Sequence, residues 1–568
     1  MHRETEMTDG NVAGGSNNDK SAARIQPSGA SAGVARSAGI VSLAVMASRM
    51  FGLVREMVFA YFFGASRSYA VDAYVMAFRI PNLLRDLFAE GALSSAFVTV
   101  FSEYLVKKDE REAFRLSNLV ATTLVVILGA VVVLGMIFTN QIVGFLASGY
   151  KAIPNKFEDT VYLTRIMMPF ILLVALAAQA MGVLNARGRF GIPAMSSSFF
   201  NIGSIVGGLV FAALMTDPTH PITAIKENPR DGIIGMAYGV LIGGFLQYAV
   251  QWPSLLRAGF RFRPVLSFSD PGVRRVFRLM GPAVIGAAAV QVNVMVNSSF
   301  ASSIPSAVAW LSYAFRFMQF PIGVFGVAIA TATLPSISRS AALENSSEFK
   351  ETLAGSIRLA FVLTIPSAVG LIVLGRPIVA LLYEHGTVFT STDTDHTAAA
   401  LGFYAVGLAG YSAVKILAPA FYALGDARTP MAISLGSIGV NLLMNWWLVG
   451  VLQERGLALS TSMVAVLNFL LLYALMRRRI GGIEGRKTAT AVAKILFASA
   501  LMAVVCWALS RSLGSWLPAN LAGRSLQVAV SVGAGAIAFY FASRILGVRE
   551  LRMALNAIGG RFFRPLRP

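Results

Sequence analysis

The chain has 568 residues, of which 56% are apolar and 13% charged, and its mean hydropathy is +0.66. A soluble protein has too little interior to hide that much apolar surface, so lipid is the solvent for most of this chain. Disordered, coiled-coil and nucleic-acid-binding classes are excluded. So is a porin-type barrel, because apolar runs such as Val120 to Phe138 are continuous instead of alternating.

Residues 1–37 are rich in Gly, Ser, Ala and Asn and have no apolar run. They read as a disordered tail, not a signal peptide. Fourteen hydrophobic spans follow, with predicted limits 38–64, 72–105, 116–146, 158–186, 192–216, 232–258, 273–302, 306–340, 348–384, 396–424, 429–451, 456–478, 489–512 and 526–547. A break is expected in the ninth, at Gly375-Arg376-Pro377. The formal charge is +20, from 48 Lys and Arg against 28 Asp and Glu. Basic residues in and at the edges of the loops after even-numbered spans and in the C-terminal tail from Arg544 outnumber those in and around the loops after odd-numbered spans by 25 to 9, which predicts cytoplasmic termini.

The second half echoes the first. AFRIP (Ala77 to Pro81) matches AFRFM (Ala314 to Met318), RLSNLV (Arg115 to Val120) matches RLAFVL (Arg358 to Leu363), and the turn ending at Pro193 matches that ending at Pro430. The offset is near 237 residues and falls to 221 where Gly235 to Gln247 matches Gly456 to Asn468. Six spans per repeat leave both halves the same way up. The expected fold is therefore all-α and polytopic. An N-terminal lobe (38–258) and a C-terminal lobe (273–478) are related by a pseudo-two-fold along the membrane normal, with a cavity between them. Spans thirteen and fourteen (489–547) lie outside the repeat.

Charges inside the spans carry the functional signal. Each Arg at the centre of a membrane helix costs roughly 2.5–3.5 kcal/mol. Arg278, Arg358 and Lys494 lie near span ends and can snorkel. Arg49, Arg55, Arg79, Arg85 and Arg316 cannot, and four of these five fall in the first two spans. Asp72 and Asp86 each lie seven residues from Arg79, and Glu90 lies four beyond Asp86, so local pairing could neutralise Arg79 and one more Arg. The remaining positive charge predicts a water-filled cationic cavity. Several guanidinium forks converging on one place suit a diphosphate better than a single carboxylate. Gly52 and Pro81 lie between the paired arginines and are candidates for helix breaks.

No catalytic grouping of Ser, His and Asp and no phosphate-binding loop occurs, which points away from an enzyme. The four histidines and the single Cys506 show no metal-ligand spacing, and no cofactor is expected. Glu384 and His385, and likewise His396, read as outer-loop surface.

SRMFGLVRE (Ser48 to Glu56) and the run DAYVMAFRIPNLLRDLFAEGALSSAF (Asp72 to Phe97) resemble the signature of the MurJ (MviN) family, the lipid II flippases of bacterial peptidoglycan synthesis. The resemblance continues through GPAVIG (Gly281 to Gly286), Phe320 to Ser338 and Val414 to Pro430, and covers nearly all of residues 38 to 548. It implies fourteen spans in two lobes, with a last pair lining a lipid-tail groove. It also implies the bacterial inner membrane as location, and lipid II, membrane lipid and other cell-wall synthesis proteins as partners. Matched by motif, Arg49, Arg55, Asp72, Arg85 and Arg316 are the implied cavity residues, with Arg79, Asp86, Glu90 and Gln319 in support. Phe315 and Gln319 flank Arg316 where some members carry acids. A sodium site of some members needs acids in the second half, where this chain offers Asn293, Asn297, Asn441 and Asn445. A drug exporter or a polysaccharide-unit flippase of the same fold are the rival readings.

Overall fold

A computed structural model describes residues 29–87 and 93–551 of the protein. The described residues form helices, short turns and no strand. In chain order the helices are α1 (Gly29–Phe63), α2 (Ala70–Arg85), α3 (Ser94–Lys107), α4 (Glu110–Ile137), α5 (Thr139–Leu146), α6 (Lys156–Met167), α7 (Phe170–Ala186), α8 (Gly191–Met215), α9 (Pro221–Glu227), α10 (Pro229–Ala249) and α11 (Trp252–Arg257). After a link come α12 (Pro271–Ser302), α13 (Ala307–Pro321), α14 (Ala328–Ala342), α15 (Ser346–Tyr383), α16 (Ser391–Val406), α17 (Leu408–Ala423), α18 (Arg428–Leu452), α19 (Glu454–Arg479), α20 (Gly485–Trp516) and α21 (Leu521–Ile545).

Among the described residues ten helical segments are long and apolar enough to cross a membrane, and α16 with α17, bent by 42°, makes an eleventh. These account for eleven of the fourteen expected spans. In the places of the first, second and seventh stand α1, α2 with α3, and α12. Caps mark where the chain returns to water. The side chains of Asp109, Asn345 and Asn520 accept backbone N–H bonds at the starts of α4, α15 and α21, Asp270 does so for α12, and Thr390 with Asp393 forms a capping box on α16.

α8 packs closely on α10. Gly203 meets Gly243, Gly207 lies against Ile242 and Gly235 against Ala212, and a Cβ at Gly239 would strike the Gly208 backbone. Small residues let two backbones approach in lipid, where no hydrophobic effect draws helices together. Further packing joins α1 to α8, α2 to α6, α12 to α18 and α18 to α19, while α20 and α21 pack on each other and on α15.

Four expectations need correction. First, α1 begins at Gly29, ahead of the expected start at 38, and runs unbroken through Gly52. Second, α15 is a single helix through Gly375, Arg376 and Pro377. Third, a distortion not expected from the sequence follows Pro321, where Ile322–Val327 is π-helical, while after Pro81, an expected candidate, Asp86 and Leu87 are π-helical. Pro lacks the N–H that the helix ladder needs, so the ladder slips there. Fourth, the span beginning at Lys156 is interrupted by a turn at Met168 and Pro169. Of the expected tails, residues 1–28 and 552–568 lie outside the described residues.

Candidate functional site

One large cavity, of about 1200 Å³, opens between the first and second groups of helices. Its wall carries Arg49 and Arg55 from α1, Arg79 and Arg85 from α2, Arg316 from α13 and Lys415 from α17, against two acids, Glu56 and Asp86. Among the described residues, six cations and two carboxylates leave a formal excess of four positive charges. Gln319 also lines it. Glu90 lies outside the described residues.

The arginines are held in distinct ways. Arg55 and Arg316 share Glu56: Arg55 Nη2 donates to Glu56 Oε1 at 3.2 Å and Arg316 Nη2 to the same oxygen at 2.7 Å. Arg55 also lies over the rings of Phe78 and Phe200, a face that suits a planar cation. Arg49 Nη1 donates to the Gln319 carbonyl at 3.1 Å. A Cβ at Gly323 would collide with the Arg49 guanidinium, so the glycine of the π-helical stretch makes room for it. Arg79 donates to the Ser298 hydroxyl. Arg85 Nη2 donates to Asp86 Oδ1 at 2.9 Å, and Gln291 donates to the other Asp86 oxygen at 3.1 Å.

Asp72 departs from the sequence expectation. It does not line the cavity and does not pair with Arg79. Its side chain and that of Lys156 are each 1% exposed and form an ion pair at 2.7 Å. Asp72 also accepts from the backbone N–H of Ser306 at 3.0 Å and of Ala309 at 2.8 Å. Ser306 is the N-cap residue of α13, so the carboxylate meets the unpaired N–H groups and the positive end of that helix. Tyr150 donates to the Asp72 carbonyl at 3.1 Å, and Tyr313 on α13 to the Gly64 carbonyl at 3.0 Å. These bonds tie α1, α2 and α6 to α13 at one end of the cavity.

Sequence reasoning missed Glu56 and misplaced Lys156. Glu56 stands in the same SRMFGLVRE run as Arg49 and Arg55, so counting intramembrane acids as carefully as arginines would have found it. Lys156 falls between the third and fourth expected spans, and no local signal says that the fold buries it. His396 is likewise not plain surface: Nδ1 lies 2.7 Å from Glu454 Oε1, and its ring stacks on Trp310 with centroids 4.0 Å apart. Glu384 pairs with Arg524 at 2.7 Å. In the second half, the four asparagines bond to one another across helices, Asn441 to Asn293 at 3.0 Å and Asn445 to Asn297 at 2.6 Å. No group of three or more His, Cys, Asp or Glu able to hold a metal occurs among the described residues.

An all-helical membrane bundle around one charged cavity is the architecture of alternating-access transporters. The chain shares the fold of an inward-facing multidrug transporter of the MATE family in the MOP superfamily, with 13% identity and a TM-score of 0.60 over 76% of this chain and 99% of that one. Sequence narrows the class. The family model described as "Lipid II flippase MurJ" matches residues 59–526, and the chain belongs to the MurJ family. It is 33% identical over 519 residues to a probable lipid II flippase MurJ of Vibrio cholerae, covering 90% of this chain and 95% of that one. It is 35% identical over 444 residues to the lipid II flippase MurJ of Burkholderia cenocepacia, covering 77% and 83%. A solved lipid II flippase MurJ in an inward closed conformation aligns with a TM-score of 0.71 at 27% identity, over 89% of this chain and 99% of that one.

Proposed function

We propose that the protein carries a polyprenyl-diphosphate-linked muropeptide, lipid II, from the cytoplasmic to the outer leaflet of the bacterial inner membrane. The observation that carries this reading is the cavity wall, which among the described residues holds five arginines against two acids. Such a wall attracts an anion and offers guanidinium forks to phosphate oxygens. Arg49, Arg55, Arg85 and Arg316 hold the diphosphate, with Arg79, Asp86 and Gln319 in support. Membership in a family whose curated members are called lipid II flippases points to the same substrate.

The two lobes rock about the cavity, residues 38–258 against 273–478, and both termini face the cytoplasm, as the loop arginines favour. The bonds around Asp72 then form the outer gate. A carboxylate held by Lys156 and by two N–H groups of α13 keeps that gate shut until the loaded cavity opens outward. Spans thirteen and fourteen, α20 and α21, hold the polyprenyl tail in lipid while the head crosses.

The test is replacement of the resident flippase in a bacterium depleted of its own. Growth should return, and the polyprenyl-diphosphate muropeptide should stop accumulating on the cytoplasmic face. Accumulation of that precursor despite full expression of this chain would refute the assignment.

A further inference from the structure

The cavity has two chemically different walls. Arginines mark the side formed by α1, α2 and α13. The side formed by α17, α18 and α19 presents Tyr411, Lys415, Ser437, Asn441, Thr461 and Asn468. These are hydroxyls and amides with a single cation. Tyr411 and Lys415 are four residues apart on α17, and Thr461 and Asn468 seven apart on α19, so each pair shares a helix face toward the cavity.

Lys415 differs from every other cation of the wall. Arg55 and Arg316 lean on Glu56, Arg49 on the Gln319 carbonyl, Arg79 on Ser298 and Arg85 on Asp86. Lys415 is exposed to the cavity and has no hydrogen-bond or ion-pair partner among the described residues. A second observation stands beside it. The side-chain oxygen Oδ1 of Asn468 is buried and accepts no hydrogen bond, although Asn468 lines the same cavity. A buried acceptor left unpaired is costly unless a partner supplies the donor. An unneutralised ammonium on this wall, with an amide oxygen that a side-chain rotation brings to the surface, fits a ligand bearing a carboxylate and an N–H or O–H group. A diphosphate has no donor to give.

We propose that Lys415 and Asn468 form a second subsite, which binds the peptide part of the substrate head through a carboxylate on Lys415 and a donor group on the Asn468 amide oxygen, turned from its buried position into the cavity. The subsite rests on the reading that the arginine side of the same cavity takes the diphosphate. It makes the transporter selective for a peptide-bearing head over a bare or capped one, and it fixes which way the head lies.

The experiment compares two lipids bound by the full chain in detergent. One is undecaprenyl-diphosphate muropeptide with free peptide carboxylates, and the other has those carboxylates amidated. The wild-type protein should prefer the free-carboxylate lipid by about tenfold, as expected for one charge-assisted hydrogen bond. That preference should collapse toward unity in Lys415→Gln and persist in Lys415→Arg. Arg85→Ala should weaken binding of both lipids and leave their ratio unchanged. A wild-type protein with no preference, whatever the variants do, overturns the subsite. So does a Lys415→Gln protein that keeps the wild-type ratio. If instead Arg85→Ala leaves the affinity for both lipids intact, the arginine assignment fails, and that result is separate from the ratio.

Discussion

A guanidinium inside a membrane persists only where something compensates it, and here the compensation is incomplete. Glu56 serves two arginines at once and Asp86 serves Arg85 and Gln291. Replacing Arg49, Arg55, Arg85 or Arg316 by Ala should leave membrane insertion intact and abolish complementation of a flippase-depleted strain. Arg85→Lys should restore only part of the activity, because an ammonium lacks the planar fork. Four Ala variants that complement like wild type would remove the cavity arginines from the mechanism. Asp72 belongs to a different physics. Its partner Lys156 is as buried as it is, and removing one member of such a pair leaves a naked charge. Asp72→Ala should therefore destabilise the protein by about 3–5 kcal/mol, and exchanging both partners for apolar residues should recover most of the loss. Thermal unfolding in detergent measures both, and an unchanged transition in Asp72→Ala would mean that the pair is not buried as described. The contrast explains what was legible at this scale. Intramembrane arginines announce themselves by cost, so all five were found in the sequence and all five line the cavity. Lys156 and Asp72 lie 84 residues apart, and no spacing rule connects them.

Elements were legible wherever an apolar run is long and unbroken, which places a helix at each of the fourteen expected positions. Breaks were legible only in part, after Pro81, because a Gly or Pro only permits a distortion and packing decides whether it happens. Gly52 and Pro377 sit in continuous helices, whereas Pro321 is followed by a π-helical stretch that Arg49 abuts. The last helix pair is fastened to α15 at both ends. Arg358 bonds to Glu484 and Glu550, each at 2.8 Å, near one end, and Glu384 bonds to Arg524 at the other. Hydrogen bonds from Lys487 and Arg358 hold the Glu484 carboxyl below the ordinary carboxylate range. So fastened, α20 and α21 move with α15. Ile495, Ala498 and Met502 are buried, while Ala500 and Val530 are exposed. The exposed positions are the ones a polyprenyl chain can reach, so Ala500→Trp or Val530→Arg should slow flipping while thermal stability stays near wild type. Photo-crosslinking by a tail-labelled lipid that marks α1–α11 and spares α20 and α21 would rule out the tail groove.

At the scale of the whole molecule the open question is energy, and the cavity charge addresses it. Among the described residues the wall carries a formal excess of four positive charges, and in the second half four asparagines are bonded in pairs where a cation cage would need acids. A cavity of this kind binds an anion. Moving that anion outward across a membrane that is negative inside is downhill by roughly 2.3 kcal/mol per charge per 100 mV. A diphosphate with about two net charges gains about 4–5 kcal/mol on that scale. The return of the empty cavity carries positive charge inward and is favoured by the same field, provided that the arginines traverse part of it. Both halves of the cycle can then run on the membrane potential, with no bound ion. Proteoliposomes with an imposed potassium-diffusion potential and no sodium or proton gradient should flip the lipid, at a rate that rises with the potential. Flipping that ignores the potential and follows a sodium or proton gradient would instead place the coupling among the buried polar groups of the second half, beginning with the asparagine pairs and the contact between His396 and Glu454.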